Sequence, residues 1–133
     1  RGTVNRILAK TLHRMQSAYG TEGTDVIACI GPGISLDSFE VGDEVYEAFR
    51  TENFPMEYIS VWKPETHKYH IDLWAANRLQ LSDFGVPPRQ IENAGICTYR
   101  QHEDFFSARR LGIKSGRILS GIMLNGQEKG ERK

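Results

Sequence analysis

A cysteine and a histidine in the second half of the chain could form a catalytic pair. Cys97 ends a predicted strand, His102 follows five residues later, and Glu103 and Asp104 stand beside it. An imidazole that takes the thiol proton creates a thiolate nucleophile, which is the chemistry of a Cys/His hydrolase. A cysteine at the end of a buried strand more often packs as a small apolar side chain, and we expect that role here. Cys29 lies within an apolar run and is expected in the core.

A glycine-rich loop is the first candidate for binding an anion. Gly31, Pro32, Gly33, Ile34 and Ser35 lie between a predicted strand and a helical region, where exposed backbone N–H groups can hold a phosphate. The loop is not a Walker motif, because no Gly-Lys-Ser/Thr follows and proline removes one donor. A plain strand-to-helix turn explains the same residues. The phosphate candidates in this loop are Gly31, Gly33 and Ser35.

Arginines cluster towards the C-terminus. Arg109, Arg110 and Arg117 flank Gly112 and Gly116. A guanidinium pairs with phosphate or carboxylate through two parallel hydrogen bonds, so Arg109 and Arg110 are candidate anion ligands. Salt bridges to the acidic residues of this neutral chain are the alternative role.

The histidines do not predict a metal site within the chain. His67 and His70 are three residues apart, but the Lys-Pro-Glu-Thr stretch before them does not favour a helix and no third ligand stands near them in the sequence. His13 and His102 lie on other predicted elements. Since a catalytic zinc needs three converging protein ligands, we expect no such site here.

Length and composition indicate one folded domain. The chain has 133 residues, of which 39% are hydrophobic and 26% charged. Its formal net charge is zero, which argues against a general nucleic-acid binder and a polybasic membrane-binding protein. Two cysteines are too few for a disulfide scaffold, and no signal segment or 18-residue apolar run is present. We therefore expect a cytoplasmic protein with no membrane or nucleic-acid partner.

Helices and strands alternate in the predicted order of elements. The 3.6-residue spacing of apolar residues, with caps such as Thr3 and Asp72 and a stop at Gly20 and Gly85, predicts the helices. Short apolar runs between turn residues predict the strands. The predicted helices cover residues 3–19, 43–50, 72–85 and 102–110, the last as a short helix or turn, and the predicted strands cover 25–30, 58–62, 90–96 and 117–124. Residues 63–72 are predicted as a polar excursion. An α+β, mixed-sheet architecture follows.

Several motifs resemble the YfiH-type family, also called laccase-domain or multicopper polyphenol oxidoreductase proteins. The matching segments occur in the family's order along the chain, from residue 1 to about residue 124. They are IGPGI at 30–34, SFEVGDEV at 38–45, DLWAANR at 72–78 continued by QL at 80–81, GVP at 85–87, CTY at 97–99, FFS at 105–107 followed by RR at 109–110, and GR at 116–117.

The resemblance implies that this chain is the C-terminal half of a larger fold. The opening Arg1-Gly2-Thr3 resembles the end of the family's HAGWRGT segment. The implied fold is a four-layer α/β/β/α arrangement of mixed sheets, of which residues 1–124 would form the C-terminal part and residues 125–133 a flexible charged tail. The implied metal, zinc or copper, is held by two histidines and a cysteine upstream of Arg1, so no residue of this chain inherits a ligand role.

The resemblance also implies purine nucleoside chemistry. Phosphate attacks C1′ of adenosine, inosine, guanosine or methylthioadenosine and releases the base and ribose 1-phosphate, and adenosine deamination is a further implied activity. Phosphorolysis needs a cationic or N–H-rich cradle for phosphate, which makes Arg1 and the loop from Gly31 to Ser35 the best local candidates. Those assignments come from chemistry and not from the resemblance.

Two other interpretations stay open. The fold is shared with deamidating toxins that use cysteine and histidine, which keeps a Cys97 and His102 hydrolase as the rival enzyme. Alternatively, this half is a non-catalytic scaffold. We expect residues 1–133 alone to be inactive and to pair, through a large apolar contact, with the missing N-terminal half or with a second copy of the chain.

Overall fold

A computed structural model describes residues 1–126 of the chain. It contains five α-helices, two short 3₁₀ helices (Gly23–Asp25 and Pro88–Gln90) and five strands within those residues. The helices are α1 (Ile7–Tyr19), α2 (Asp43–Thr51), α3 (Met56–Ile59), α4 (Leu73–Phe84) and α5 (Ala108–Leu111). The strands are β1 (Ala28–Ile30), β2 (Glu40–Val41), β3 (Ser60–Lys63), β4 (Lys68–Ile71) and β5 (Ile91–Asn93). The predicted mixed α+β class is confirmed.

Helix α1 begins later than its apolar pattern predicts. Thr3 is not the N-cap. The N-cap is Arg6, whose backbone is left-handed with φ of 55° and whose side chain makes no capping bond. Residues 1–6 instead form tight turns, in which the amide of Asn5 donates to the carbonyl of Arg1 over 3.1 Å. The predicted end at Gly20 is confirmed, because Gly20 adopts φ of 67° and its amide donates to Gln16.

Strands β2, β4 and β3 form an antiparallel sheet in that order. β4 lies in the centre, with His70 opposite Glu40 on β2 and opposite Val61 on β3. The predicted polar excursion over 63–72 is therefore wrong, since its second half is the central strand of the sheet. The second half of β4 is buried: His70 is 8% exposed, and Ile71, which packs with Phe49 of α2 and Ile59 of α3, is completely inaccessible to solvent.

Strands β1 and β5 form a parallel pair, with Ala28 opposite Ile91 and Ile30 opposite Asn93. Both strands are shorter than predicted. Cys29 is exposed on this pair and not in the core as predicted, because a strand places successive side chains on opposite faces and Cys29 points to the open one.

Helix α4 packs between the two sheets and contributes to both hydrophobic cores. Its residue Ala76 packs in the cluster of the antiparallel sheet, and Leu81 packs with α1 and β5. The predicted bounds hold because local signals set them. The Asp72 carboxylate accepts the amide of Ala75 over 2.9 Å, and Gly85 ends the helix with φ of 100°.

The C-terminal region confirms one prediction and contradicts another. The predicted short helix or turn over 102–110 is confirmed, since residues 98–104 form turns and α5 covers Ala108–Leu111, whereas residues 117–124 form no strand. Leu119 is 97% exposed and Met123 is 84% exposed. A strand requires a ladder partner, and the described residues provide none for this segment. Residues 127–133 of the predicted tail lie outside the described residues. Within residues 1–126, no helix is both long and apolar enough to cross a bilayer.

Candidate functional site

The loop that follows β1 is fastened to the segment that follows β5. The amide of Gly33 donates to the carbonyl of Ile96 over 3.1 Å, and the amide of Thr98 donates to the carbonyl of Gly33 over 3.0 Å. The amide of Ser35 donates to Sγ of Cys97 over 3.4 Å. Two N–H groups of the predicted phosphate loop, those of Gly33 and Ser35, therefore already have partners within the protein.

Cys97 is buried at the centre of this junction, with 6% of its surface exposed. Burial raises the pKa of its thiol, but hydrogen bonds from Ser35, from the backbone of Arg100 and from Ser38 together outweigh it and lower that pKa to about 6. The Ser38 hydroxyl lies 3.6 Å from the sulfur. His102 is half-buried and is not among the hydrogen-bond partners that residues 1–126 offer to this sulfur. Cys97 is thus hydrogen-bonded to Ser35 and Ser38 of the loop.

A cavity of about 390 Å³ opens on one side of the loop, where β1 ends and α4 begins. In parallel α/β units, ligands commonly bind at this carboxyl end of the strands. Its polar lining comes from Thr3, Asn77, Ser120 and the loop backbone, and apolar residues form the rest. The complete lining is Thr3, Leu8, Ala28, Cys29, Ile30, Gly31, Pro32, Gly33, Ile34, Leu73, Trp74, Asn77, Leu81 and Ser120.

Trp74 forms part of the wall of this large cavity. Its indole Nε1 is buried and has no hydrogen-bond partner among residues 1–126. The same nitrogen lies 3.4 Å from the position that a Cβ would occupy at Gly33, so the indole is packed close to the loop backbone. A buried donor without a partner is uncommon in folded proteins. The ring is held against the loop by packing rather than by a hydrogen bond.

A smaller, basic cleft of about 260 Å³ lies beside the second half of the loop. Arg109 donates from Nη1 to the carbonyl of Glu40 over 2.8 Å, and its guanidinium lies 5.1 Å from the centre of the Phe39 ring. Lys68 reaches the same cleft, with Nζ 3.7 Å from Oε1 of Glu40. Ser38 and Tyr99 add hydroxyl groups. The two cations face one carboxylate, which leaves the cleft suited to an oxyanion.

The other arginines considered are not among the residues that line this basic cleft. Arg110 lies over the ring of Tyr99, one of the lining residues, with its guanidinium carbon 4.8 Å from the ring centre. Arg1 is exposed, two residues before Thr3 of the large cavity. Arg117 is exposed and donates to the carbonyl of Ser115 over 2.5 Å. The predicted arginine cluster is therefore divided, and Arg109 is the member of it that lines the basic cleft.

Sequence reasoning missed Lys68 and Asn77 as site residues. Lys68 falls within the polar excursion predicted for residues 63–72, whereas the sheet brings it opposite Lys63 and next to Glu40. Asn77 stands three residues after Trp74 and four before Leu81, so the three share one face of α4. That spacing was the available signal for a cavity-lining face.

The four histidines do not converge. Residues 1–126 contain no group of three or more His, Cys, Asp or Glu side chains that could hold a metal ion. His67 lies in the β3–β4 turn with φ of 54°, and His70 is buried with Nδ1 2.8 Å from the carbonyl of Leu36. The residues of the described part therefore do not fit the metal centre that the motifs imply, whose ligands would lie upstream of Arg1.

Comparison with known proteins places the chain in one family. Residues 1–125 match the family described as multi-copper polyphenol oxidoreductase laccase. A protein of Bacteroides thetaiotaomicron named purine nucleoside phosphorylase is 65% identical over 125 residues, which are 94% of this chain and 46% of that relative. A protein of an unknown prokaryotic organism named adenosine deaminase RL5 is 48% identical over 122 residues, 92% of this chain and 46% of the relative.

Solved structures agree with the sequence match. The YfiH structure of Bacillus licheniformis gives a TM-score of 0.73 at 30% identity and covers 82% of this chain and 41% of that one. YlmD of Geobacillus stearothermophilus gives 0.72 at 32% identity and covers 83% and 41%. The chain thus spans less than half the length of these relatives. Since the family match extends over residues 1–125, the chain belongs to the multi-copper polyphenol oxidoreductase laccase family and has the YfiH-type fold.

Proposed function

We propose that this chain is the C-terminal portion of a purine nucleoside phosphorylase. The observation that carries the proposal is that one loop, residues 31–39, borders both a mixed polar and apolar cavity and a basic cleft. Phosphorolysis needs a site for a nucleoside and a site for phosphate, and those two cavities match these needs in size and charge. The name of the 65% identical relative supports the same activity.

The reaction is a displacement at the sugar. A phosphate oxygen forms a bond to C1′, the bond between C1′ and N9 breaks, and its electron pair leaves with the base, which then takes up a proton. Adenosine, inosine, guanosine and methylthioadenosine are the proposed substrates. The role of the protein is to hold phosphate near the sugar and to stabilise the departing base.

Arg109 is the principal phosphate ligand in this proposal, with Lys68 beside it. One N–H of the guanidinium is used by the carbonyl of Glu40, which fixes the group and leaves its other donors for an oxyanion. Arg1, Arg110, Gly31, Gly33 and Ser35 remain proposed binding residues of lower rank, because two of the loop amides already have partners.

The proposed partner of the chain is the remaining part of the protein, or failing that a second copy. Apolar side chains stand exposed on one side of the molecule, among them Ile27 at 65%, Ile122 at 73% and Leu124 at 87%. Ile27 and Ile122 line one apolar pocket of about 450 Å³ together with Met15. Each such side chain gains roughly 1.5 to 3 kcal/mol on burial. A covering surface therefore stabilises the chain substantially.

Adenosine deamination is the second candidate, supported by the name of the 48% identical relative. There water adds at C6 of adenosine, ammonia leaves and inosine forms. The implied zinc or copper centre would be built from residues outside this chain, and we derive no step through it. A cytoplasmic location accompanies either activity in this proposal.

The test joins residues 1–133 to the N-terminal part of the Bacteroides thetaiotaomicron relative, which is 65% identical over the shared part. We expect this joined enzyme to release hypoxanthine and ribose 1-phosphate from inosine only when phosphate is present, and residues 1–133 alone to release none. Conversion of adenosine to inosine without phosphate would identify the deaminase. Turnover by residues 1–133 alone would contradict the proposed division of the site.

Arg109→Ala tests the proposed role of Arg109 as the phosphate ligand. Removing a charge-assisted hydrogen bond costs about 1.5 to 3 kcal/mol, which corresponds to a rise of roughly 10- to 150-fold in the KM for phosphate in Arg109→Ala. The matched control is Arg89→Ala, at an exposed arginine on the turn Pro88–Gln90. An unchanged KM for phosphate in Arg109→Ala, with thermal unfolding showing a folded protein, would remove Arg109 from the site.

A further inference from the structure

One hydrogen bond from helix α1 fixes the side-chain amide of Gln80, and Gln80 in turn fixes the amide of Asn77, which lines the large cavity. The backbone N–H of Ala9 can only donate, and it donates to the side-chain oxygen of Gln80 over 3.0 Å. The other end of the Gln80 amide must therefore be its nitrogen. That nitrogen donates over 3.4 Å both to the carbonyl of Ala76 and to Oδ1 of Asn77. The oxygen of Asn77 thus faces Gln80.

The consequence is that Asn77 offers a donor to the cavity. Its oxygen is used by Gln80, and no hydrogen bond among residues 1–126 uses its Nδ2. Asn77 lines the cavity one helical turn after Trp74. A ligand group that bonds to Nδ2 of Asn77 must therefore be an acceptor.

The cavity walls suit a flat ring. The Trp74 side chain, Leu8, Leu73 and Leu81 contribute apolar surface, and the volume of about 390 Å³ lies within the range of small-molecule sites. Apolar walls with a few placed polar groups are the usual composition of a pocket for a planar heterocycle. A purine base is such a ring, and it carries unprotonated nitrogen acceptors.

We propose that Asn77 donates a hydrogen bond from Nδ2 to N7 of the purine base of a nucleoside bound in this cavity. The inference rests on the proposed function. N9 of the base is bonded to the sugar, and N7 is the acceptor nitrogen in the same five-membered ring of every common purine. When the bond between C1′ and N9 breaks, its electron pair spreads over that ring and increases the negative charge on N7. A donor at N7 therefore binds the transition state more strongly than the ground state.

Asn77→Asp is the informative variant. Aspartate has nearly the same shape and keeps an oxygen to accept from Gln80, but it replaces the donor by an acceptor. In the joined enzyme we expect kcat/KM for inosine to fall about 100-fold, the usual effect of losing one donor to a developing charge. Asn53→Asp makes the same chemical change at an exposed residue after α2 and should leave kcat/KM unchanged.

Deaza nucleosides, in which carbon replaces one ring nitrogen, test the contribution of N7 independently of the other ring nitrogens. We expect 7-deazainosine, which has carbon in place of N7, to lose little further activity in Asn77→Asp, whereas 3-deazainosine should lose as much as inosine does. An equal loss for inosine and 7-deazainosine, or no loss for inosine, would overturn the assignment of N7.

A binding measurement keeps the inference separate from the proposed function. In the joined protein we expect hypoxanthine, titrated by isothermal calorimetry, to bind at least tenfold more weakly after Asn77→Asp. If no nucleoside is turned over but this difference appears, the phosphorylase proposal fails and the assignment of Asn77 stands. Absent or equal binding refutes the Asn77 assignment even where turnover occurs.

Discussion

Replacing Gln80 by methionine tests how helix α1 is held. The first N–H groups of a helix have no intrahelical acceptor, and the N-cap Arg6 supplies no side-chain bond. The amide of Ala9, the third residue of α1, instead donates to Gln80, a residue of α4 that is only 1% exposed. Methionine has nearly the same length and volume but no acceptor. Gln80→Met therefore leaves this amide without a partner and creates no large cavity.

The expected cost follows from these contacts. An unsatisfied, partly buried donor costs about 1 to 3 kcal/mol, and the loss of the two longer bonds donated by Gln80 places the expected value near 2 kcal/mol. The free energy of unfolding is measured in urea by circular dichroism, with Gln16→Met as the control, since Gln16 is exposed on α1. A change below about 0.5 kcal/mol, the range of ordinary surface substitutions, would refute the capping role of Gln80.

Two further predictions concern close packing and ionisation. A Cβ at Gly23 would overlap the backbone of Gly85, whose Cα would lie 2.7 Å away. Gly23→Ala should therefore lower the free energy of unfolding by about 1 to 3 kcal/mol in the urea assay. Gly121→Ala is the control and should cause no such loss, because a Cβ there meets nothing within 4 Å. Because the pKa of Cys97 is lowered to about 6 in the folded chain, its thiolate adds stability that is complete above the unfolded pKa of roughly 8.5 and is lost as pH falls through 6. The advantage of the wild type over Cys97→Ser should thus be greater at pH 8.5 than at pH 5.5, and a pH-independent difference would contradict the lowered pKa.

The helices were predictable where local chemistry sets their bounds. Helix α2 follows the predicted 43–50 segment closely, and α4 begins after Asp72 and ends at Gly85 as predicted. Capping carboxylates and left-handed glycines act over three or four residues, so a single sequence contains the information. Helix α1 departs at its beginning because its stabilising acceptor, Gln80, is 71 residues away from Ala9.

The strands were less predictable because a strand is stabilised by partners distant in sequence. β4 contains Lys68 and His70, which give no clear alternation, and it becomes a central strand only through pairing with β2 and β3. Residues 117–124 show the opposite error. Their apolar content satisfies the pattern for a strand, but no ladder partner lies among the described residues, and Leu119 remains 97% exposed.

The sequence shows which residue types could bind a ligand, but it does not show which of them the fold brings to the same cavity. Arg109 could be proposed as an anion ligand from the sequence because guanidinium chemistry is evident from the residue type, whereas only the fold of the sheet brings Lys68 to the same cleft. Asn77 shows the same limitation more strongly. Whether an asparagine offers its oxygen or its nitrogen depends on what its neighbours donate. No sequence pattern records that choice.

The choice at Asn77 links the stability of the fold to the chemistry of the cavity. Gln80 uses its oxygen to hold α1 and, for that reason, must present its nitrogen to Asn77. The amide of Ala9 therefore determines, through Gln80, which atom of Asn77 remains for a ligand. In our proposal, the same two side chains satisfy a helix terminus that requires an acceptor and a ligand that requires a donor. The proposal thereby accounts for the polar residues at these positions of α4, where Gln80 in particular is nearly inaccessible to solvent and an apolar side chain would otherwise be favoured.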